Sequence, residues 1–264
     1  MADITVRKIP FSFEDVPIDF DVSDEMLGAM LPVLALSMTM PYLEPYLIRT
    51  MKVALREIQD PILAEDVRRF SQQEGHHFRN HADFNVRIRG SFDEPTAAAL
   101  RAIEEGLEAD YQRFTREESL RFNVAYAEGF EAMTCAGALA MAEHGAFEGI
   151  PGGEIWAWHM AEEIEHRTVA FQVYDRLVGR YLYRVLMGGW SQWHYVSYTH
   201  RFATCMARSL GRKLVLPNTP MHRGALRNYL RTWSPRYDPA KIPLPTPVEA
   251  LLERYTAIAA TSAT

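Results

Sequence analysis

Cysteine is scarce in this 264-residue chain: Cys135 and Cys205 are the only two. Two thiols exclude a disulfide framework, a four-thiolate iron–sulfur site and a structural zinc site built from this chain alone. The expected setting is a reducing compartment, the cytoplasm. Lysine is nearly absent, with Lys8, Lys52, Lys213 and Lys241 the complete set, so arginine carries most of the positive charge. A net charge of −6 and a pI of about 5.9 leave no overall basic field for a polyanion; nucleic acid is not an expected partner. Near the N-terminus Phe11, Phe13 and Phe20 alternate with Glu14, Asp15 and Asp21, and no apolar stretch of the secretory type occurs there. The longest run without a charge, Met26 to Leu43, has eighteen residues, which is borderline for a membrane span. Gly28, Pro32, Ser37, Thr39 and Pro41 interrupt it, so a core segment is expected instead. Strand patterning is missing too: after residue 22 no period-2 stretch is long enough for a sheet, and the class is all-α.

What is present is 48% hydrophobic and 23% charged, enough to bury a sizeable core. Ser23 caps a first segment that Pro32 bends, and a second helical stretch runs from about Pro41 to Ile58. Pro45 disfavours α geometry at Glu44. Asp60-Pro61 starts a helix that runs to about Arg89, before Gly90. Asp93, Glu94 and Pro95 open another, to about Phe114. Thr115 with Glu118 forms a capping-box pattern for a helix to about His144, before Gly145. After a turn at Pro151 to Gly153, one helix carries Glu154 to about Val178. Gly188 and Gly189 break the aromatic, arginine-rich residues 180–211 into two helical pieces. Pro235, Pro239, Pro243, Pro245 and Pro247 then precede a short helix near Val248 to Tyr255. Three regions follow: an extended N-terminal arm over 1–22, a metal-binding helical bundle over 23–179, and a helical and proline-rich C-terminal extension over 180–264 that packs on the bundle.

The informative feature is the placing of acids and histidines on helix faces that should be buried. At about 100° per residue, Leu63, Val67, Phe70, Phe78 and Ile88 form one apolar stripe, which Glu74, His77 and His81 share. Farther on, Ile155, Ala170, Val173 and Leu177 share a face with His159, Glu162, Glu163 and His166. Burying so many unpaired ionisable groups costs several kcal/mol each, on the order of the price of any lone buried charge, so they must satisfy one another or bind something. Glu74-x-x-His77 and Glu163-x-x-His166 each bring a carboxylate and an imidazole to one point on a helix surface. A dinuclear carboxylate site needs one more Glu from each of two other helices. Glu44 qualifies, flanked by Met40, Leu47, Ile48, Met51 and Leu55, and so does Glu131, along the stripe of Leu120, Val124, Ala127 and Ala138. Glu128 shares a face with Arg121 and belongs nearer solvent. The separations are 30 residues from Glu44 to Glu74, 57 from Glu74 to Glu131 and 32 from Glu131 to Glu163. Short, long, short is the pattern of a four-helix bundle with one crossover connection, which the Asp93–Phe114 helix supplies.

In its ligand order, Glu, Glu-x-x-His, Glu, Glu-x-x-His, the sequence resembles the ferritin-like di-iron carboxylate superfamily. The blocks from Phe70 to His81 (FSQQEGHHFRNH) and from Trp158 to Phe171 (WHMAEEIEHRTVAF) resemble the bacterial family named predicted metal-dependent hydrolases. The likeness covers roughly residues 10–180. It implies a ferritin-like four-helix bundle carrying extra C-terminal helices, and a metal-dependent activity.

Four Glu residues supply four negative charges against two divalent cations, and the imidazoles of His77 and His166 complete the donors. His81, His159 and Glu162 lie along the same stripes as outer hydrogen-bonding partners or additional ligands. Iron suits this carboxylate-rich set, with manganese or a mixed Mn/Fe pair as alternatives and zinc last. The favoured activity is O2 activation against a small apolar or aromatic substrate, which requires an external electron donor. A two-metal hydrolase of ester or amide bonds is the alternative, and iron oxidation and storage comes third. Met26, Met30, Met38, Met40 and Met51 read first as core filler and second as the lining of a substrate tunnel. Trp190, Trp193, His194, Tyr195 and Tyr198 fit a cover over the bundle, a homodimer contact or a membrane-surface contact.

Overall fold

The computed structural model describes residues 4–144, 150–215 and 219–262, and among them the secondary structure is helical, without strands. Residues 4–22 run without helix and bury Ile4, Ile9 and Phe13 in the core. Helix α1 (Asp24–Ala54) is capped by Ser23, whose hydroxyl accepts from the Met26 N–H at 3.2 Å. The expected break in this helix does not occur: Pro32, Pro41 and Pro45 all lie inside it. Each proline removes one backbone bond, and at Pro41 a side chain makes good the loss. The Ser37 carbonyl, which the residue-41 nitrogen would otherwise have served, accepts instead from Asn85 Nδ2 at 2.9 Å. Helix α1 is long and apolar enough to cross a membrane, yet most of its apolar window is buried inside the protein.

Helix α2 (Pro61–Arg89) starts at Asp60, whose Oδ1 accepts from the Ile62 and Leu63 amides. Helix α3 (Glu94–Glu117) begins at Asp93 in the same way and runs through the expected capping box. Thr115 donates to the Tyr111 carbonyl inside α3, and the cap of α4 (Leu120–His144) is Ser119, which accepts from Phe122 N–H. The expected stop at Gly145 lies outside the described residues. The single helix expected from Glu154 is two, α5 (Gly153–Glu165) and α6 (Val169–Leu177). The chain leaves helical geometry at His166, with φ −92° and ψ 7°.

Helix α7 (Tyr181–Ser209) passes through Gly188 and Gly189 unbroken. Gly188 serves a close helix crossing instead: a Cβ on Gly129 of α4 would stand 2.5 Å from the Gly188 Cα. Beyond it lie α8 (Pro220–Thr232), which the sequence reading did not anticipate, a 3-10 turn (Pro239–Lys241), and α9 (Thr246–Ser262), longer than expected. Helix α1 packs on α2, α3, α4 and α7; α4 packs on α5, α6, α7 and α8; and α2 touches both α5 and α6. Leu34, Leu43, Val67, Val124 and Ile155 are fully buried between them, each such side chain contributing roughly 1.5–3 kcal/mol.

Candidate metal centre

Four elements deliver the candidate ligands to one place. Glu44 comes from α1, Glu74 and His77 from α2, Glu131 from α4, and His159, Glu163 and His166 from α5 and its C-terminal cap; none is more than 4% exposed. Their donor atoms form three groups, each within 4.8 Å: Glu44, His77 and His159; Glu74, Glu131 and His166; Glu74, His77 and Glu163. His166 Nε2 stands 3.3 Å from Glu131, 3.4 Å from Glu74 Oε1 and 3.5 Å from Glu163 Oε2. His77 Nδ1 stands 3.8 Å from Glu74 Oε2 and 3.9 Å from Glu163 Oε1. Glu74 and Glu163 thus each turn one oxygen to either half of the cluster, with Glu44, His77 and His159 on one side and Glu131 and His166 on the other.

The polar accounts of this cluster do not close within the protein. Both oxygens of Glu44 and of Glu74, Glu131 Oε1, Glu163 Oε2, His77 Nδ1 and His166 Nε2 are buried without a hydrogen-bond partner. Each such group costs on the order of 1–3 kcal/mol or more when charged. Hard oxygens beside imidazole nitrogens are the donors divalent cations take, and the residues present fit such ions.

An outer ring fixes which nitrogen of each imidazole faces inward. His77 Nε2–H donates to Glu162 Oε2 at 2.9 Å, and Glu162 Oε1 accepts from Arg7 at 3.0 Å, which leaves His77 Nδ1 to the centre. Gln73 donates through Nε2 to the Thr5 carbonyl and to Glu165 Oε2, so its Oε1 is the acceptor for His166 Nδ1–H at 2.9 Å. Behind His159 a relay of hydrogen bonds starts at Asn85, whose Nδ2 serves the Ser37 carbonyl. Its Oδ1 therefore accepts from the Ser37 hydroxyl at 2.7 Å. That hydroxyl, its proton used, accepts from His81 Nδ1–H at 2.8 Å, and His81 Nε2 in turn accepts from His159 Nδ1–H, also at 2.8 Å. His159 Nε2 is left as a bare lone pair, 2.9 Å from Glu163 Oε1 and 3.5 Å from Glu44 Oε1. Only a cation or a proton satisfies that arrangement. His159 thus faces the centre, His81 stands behind it, and Glu162 touches the far nitrogen of His77.

Burial and the neighbouring carboxylates raise Glu44 well above the ordinary carboxylate range. Burial and then the charge of Glu163 push Glu74 and Glu131 up to about 8. For Glu163 burial works the same way but is outweighed, by the charge of His166 above all, and the carboxyl is held low. Burial holds His81 and His159 neutral.

Two side chains lie elsewhere than the sequence predicts. Glu128 is not near solvent: it is 2% exposed and paired with Arg184 at 3.1 Å, while Arg121 lies over the Tyr183 ring. Phe78 is only half-buried, under Arg79, and is not part of the ligand stripe's core. Arg7, Ser37, Gln73, Asn85 and Glu165 were not singled out from the sequence. Ser37 and Asn85 carried a signal, as polar residues seven before Glu44 and four after His81 on the ligand faces. Arg7, 155 residues from Glu162, carried none.

No curated protein and no solved structure matches the chain. A family model described as predicted metal-dependent hydrolase matches residues 5–242, a span that takes in all seven residues of the cluster and the ring that holds them, and the chain belongs to that family.

Proposed function

We propose that the chain is a dinuclear metal-dependent enzyme in which Glu44, His77 and His159 hold one cation, Glu131 and His166 hold the other, and Glu74 and Glu163 reach both. The buried, unpartnered oxygens and nitrogens of these residues carry the reading. We read α1, α2, α4 and the α5–α6 pair as a ferritin-like four-helix bundle, with α3 as the crossover; the ligand order and the mutual packing of these helices support it. Iron is the first metal to test, then manganese or a mixed pair.

Hydrolysis, the activity for which the family is named, is the first reading of the reaction. Bound cations supply Lewis acidity and a hydroxide at neutral pH. The chain's own part is to hold the imidazoles in one tautomer, through Glu162, Gln73 and His81, and to keep bulk water from seven residues at most 4% exposed. A second reading, O2 activation on a small apolar molecule, is favoured by the four carboxylates, a hard-oxygen set suited to a metal that reaches the ferric state. It requires an external electron donor, since two cysteines and the lack of a Gly-x-Gly-x-x-Gly fingerprint leave the chain without its own electron-carrying cofactor site of those types.

Elemental analysis tests the centre: about two metals per chain are expected, with large losses in Glu74→Ala and His166→Ala, and full retention in both refutes the assignment. Metal-loaded protein should turn over ester or amide substrates anaerobically and without reductant. Inertness toward them, with O2 uptake after chemical reduction, replaces hydrolysis by the second reading.

A further inference from the structure

Beside the ligand cluster lies a cavity of about 340 Å³ between α1, α4, α5 and α7. Its buried floor is made by Met40, Trp156, Met160 and Tyr195. These residues adjoin the ligands: Met40 is one turn before Glu44, Met160 follows His159, and the Trp156 ring stacks on the His159 imidazole at 5.5 Å and 9°. Val196, His200 and His222 are exposed at the mouth. Among the described residues no Asp, Glu, Lys or Arg lines it. A charged ligand would lose its hydration there and gain no counter-charge.

The hydroxyls on the wall are nearly all committed. Thr134 donates to the Phe130 carbonyl and Thr199 to the Tyr195 carbonyl. Thr39 spends its single proton on the Leu36 carbonyl at 2.7 Å, so in its contact with Thr39 Oγ1 the Tyr195 hydroxyl is the donor, and at 3.4 Å that bond is long enough for a closer carbonyl acceptor to displace it. Burial, with the negative charge of Glu44 adding to it, keeps this phenol protonated. The floor therefore offers one hydrogen-bond donor in an otherwise apolar, methionine-rich surface that adapts its shape.

We propose that this cavity is the substrate site, and that it takes a neutral aryl-alkyl or alkyl carbonyl compound whose oxygen accepts from Tyr195 while its apolar body fills the methionine-lined space. The inference rests on the metal-centre reading for its chemistry and on the cavity alone for its binding. A dry cavity of about 150 Å³ holds a benzene, so one about twice that size takes roughly ten to fifteen non-hydrogen atoms.

The test is calorimetric binding of 4-phenylbutan-2-one, butylbenzene and 4-phenylbutylammonium to metal-loaded protein. Gly137 lines the cavity, and a Cβ there would meet nothing within 4 Å, so Gly137→Leu starts its side chain in open space and occupies part of the cavity. The ketone should bind and the ammonium should not. Gly137→Leu should weaken the ketone at least about tenfold, with metal content and Tm unchanged. Tyr195→Phe should weaken the ketone roughly three- to tenfold and leave butylbenzene unaffected. Equal ketone binding by wild type and Gly137→Leu, or ammonium binding as tight as ketone, overturns the cavity; an unchanged ketone affinity in Tyr195→Phe overturns the tyrosine's part. Metal content is read separately, so a failed metal centre leaves the binding result able to decide the cavity on its own.

Discussion

The imidazoles of His81 and His159 share a 2.8 Å hydrogen bond in which His159 Nδ1–H is the donor. Its direction is set four residues of relay away. Pro41 has no amide to give the Ser37 carbonyl, Asn85 gives its own, and the amide orientation this fixes passes through Ser37 and His81 to His159. A proline in a helix thereby determines which nitrogen reaches the centre. His159→Ala should remove a ligand and with it much of the metal from one half of the site. His81→Ala should weaken metal binding by about 10–100-fold, and His81→Gln, whose carbonyl oxygen accepts from His159, should retain more. Competition with a chelator measures all three, and identical behaviour of the His81 variants and wild type would discard the relay.

At the crossing of α4 and α7, Gly129 and Gly188 meet backbone to backbone. A Cβ at 129 would stand 2.5 Å from the Gly188 Cα and 2.6 Å from Ser191 Oγ, and the Gly129 carbonyl accepts from Gln192 Nε2 at 2.7 Å. Backbone does not yield as a side chain does, so Gly129→Ala should destabilise by about 1–3 kcal/mol or more, although alanine favours a helix. Glu131 is two residues away, so metal affinity should fall as well. A Tm equal to wild type in thermal unfolding would contradict the close crossing.

Much of this was legible in the sequence, because helix periodicity places a ligand and the apolar residues around it on one face. The Glu-x-x-His pairs on α2 and α5, the partners on α1 and α4, and the start of α2 at Asp60-Pro61 all follow from spacing and capping chemistry. What was not legible came from tertiary contacts that override local rules. Three prolines sit within α1, and at Pro41 a neighbouring side chain, Asn85, replaces the lost bond. Gly188 and Gly189 stay helical because one of them permits a close crossing. Glu128 is buried because Arg184, 56 residues away, pairs with it. The distinction between His81 and His159, alike on their stripes, depends on which hydrogen-bond partner stands behind each.

Arg7 illustrates such a contact carried into function. From the non-helical N-terminal segment its guanidinium, 3% exposed, reaches Glu165 at 2.8 and 2.9 Å and Glu162 at 3.0 Å. Glu162 orients His77 and Glu165 orients Gln73, which holds His166. Arg7→Ala leaves two buried carboxylates without their cation, a change that costs about 3–5 kcal/mol in comparable settings. The expected result is a lower Tm together with weaker metal binding. Arg7→Lys should recover part of the stability but less of the affinity, because an ammonium cannot reproduce the forked contact. Unaltered metal affinity in Arg7→Ala would separate the N-terminal segment from the site.

The metal-free protein should respond to pH in the opposite sense from acid denaturation. Burial and the Glu163 charge push the Glu74 and Glu131 carboxyls up to about 8, against about 4.3 in an unfolded chain. Between those values the folded state holds more protons than the unfolded state, so this contribution to stability is fully present below about 4.3 and is lost as pH rises through about 8. His166, raised well above its usual value because the fields of Glu163 and Glu131 outweigh burial, adds to the same trend. His81 and His159 oppose it below about 6.5, where the unfolded imidazoles gain protons that burial denies the folded ones. Glu163, held low, acts only in acid below about 4.3. The unopposed window is therefore about pH 6.5 to 8, in which Tm of the stripped protein should fall. Bound cations take the place of the protons, so the loaded protein should show little slope there, and metal binding should release protons, measurable by calorimetry in buffers of different ionisation enthalpy. A stripped protein that gains stability across that window would show that the four carboxylates do not face one another.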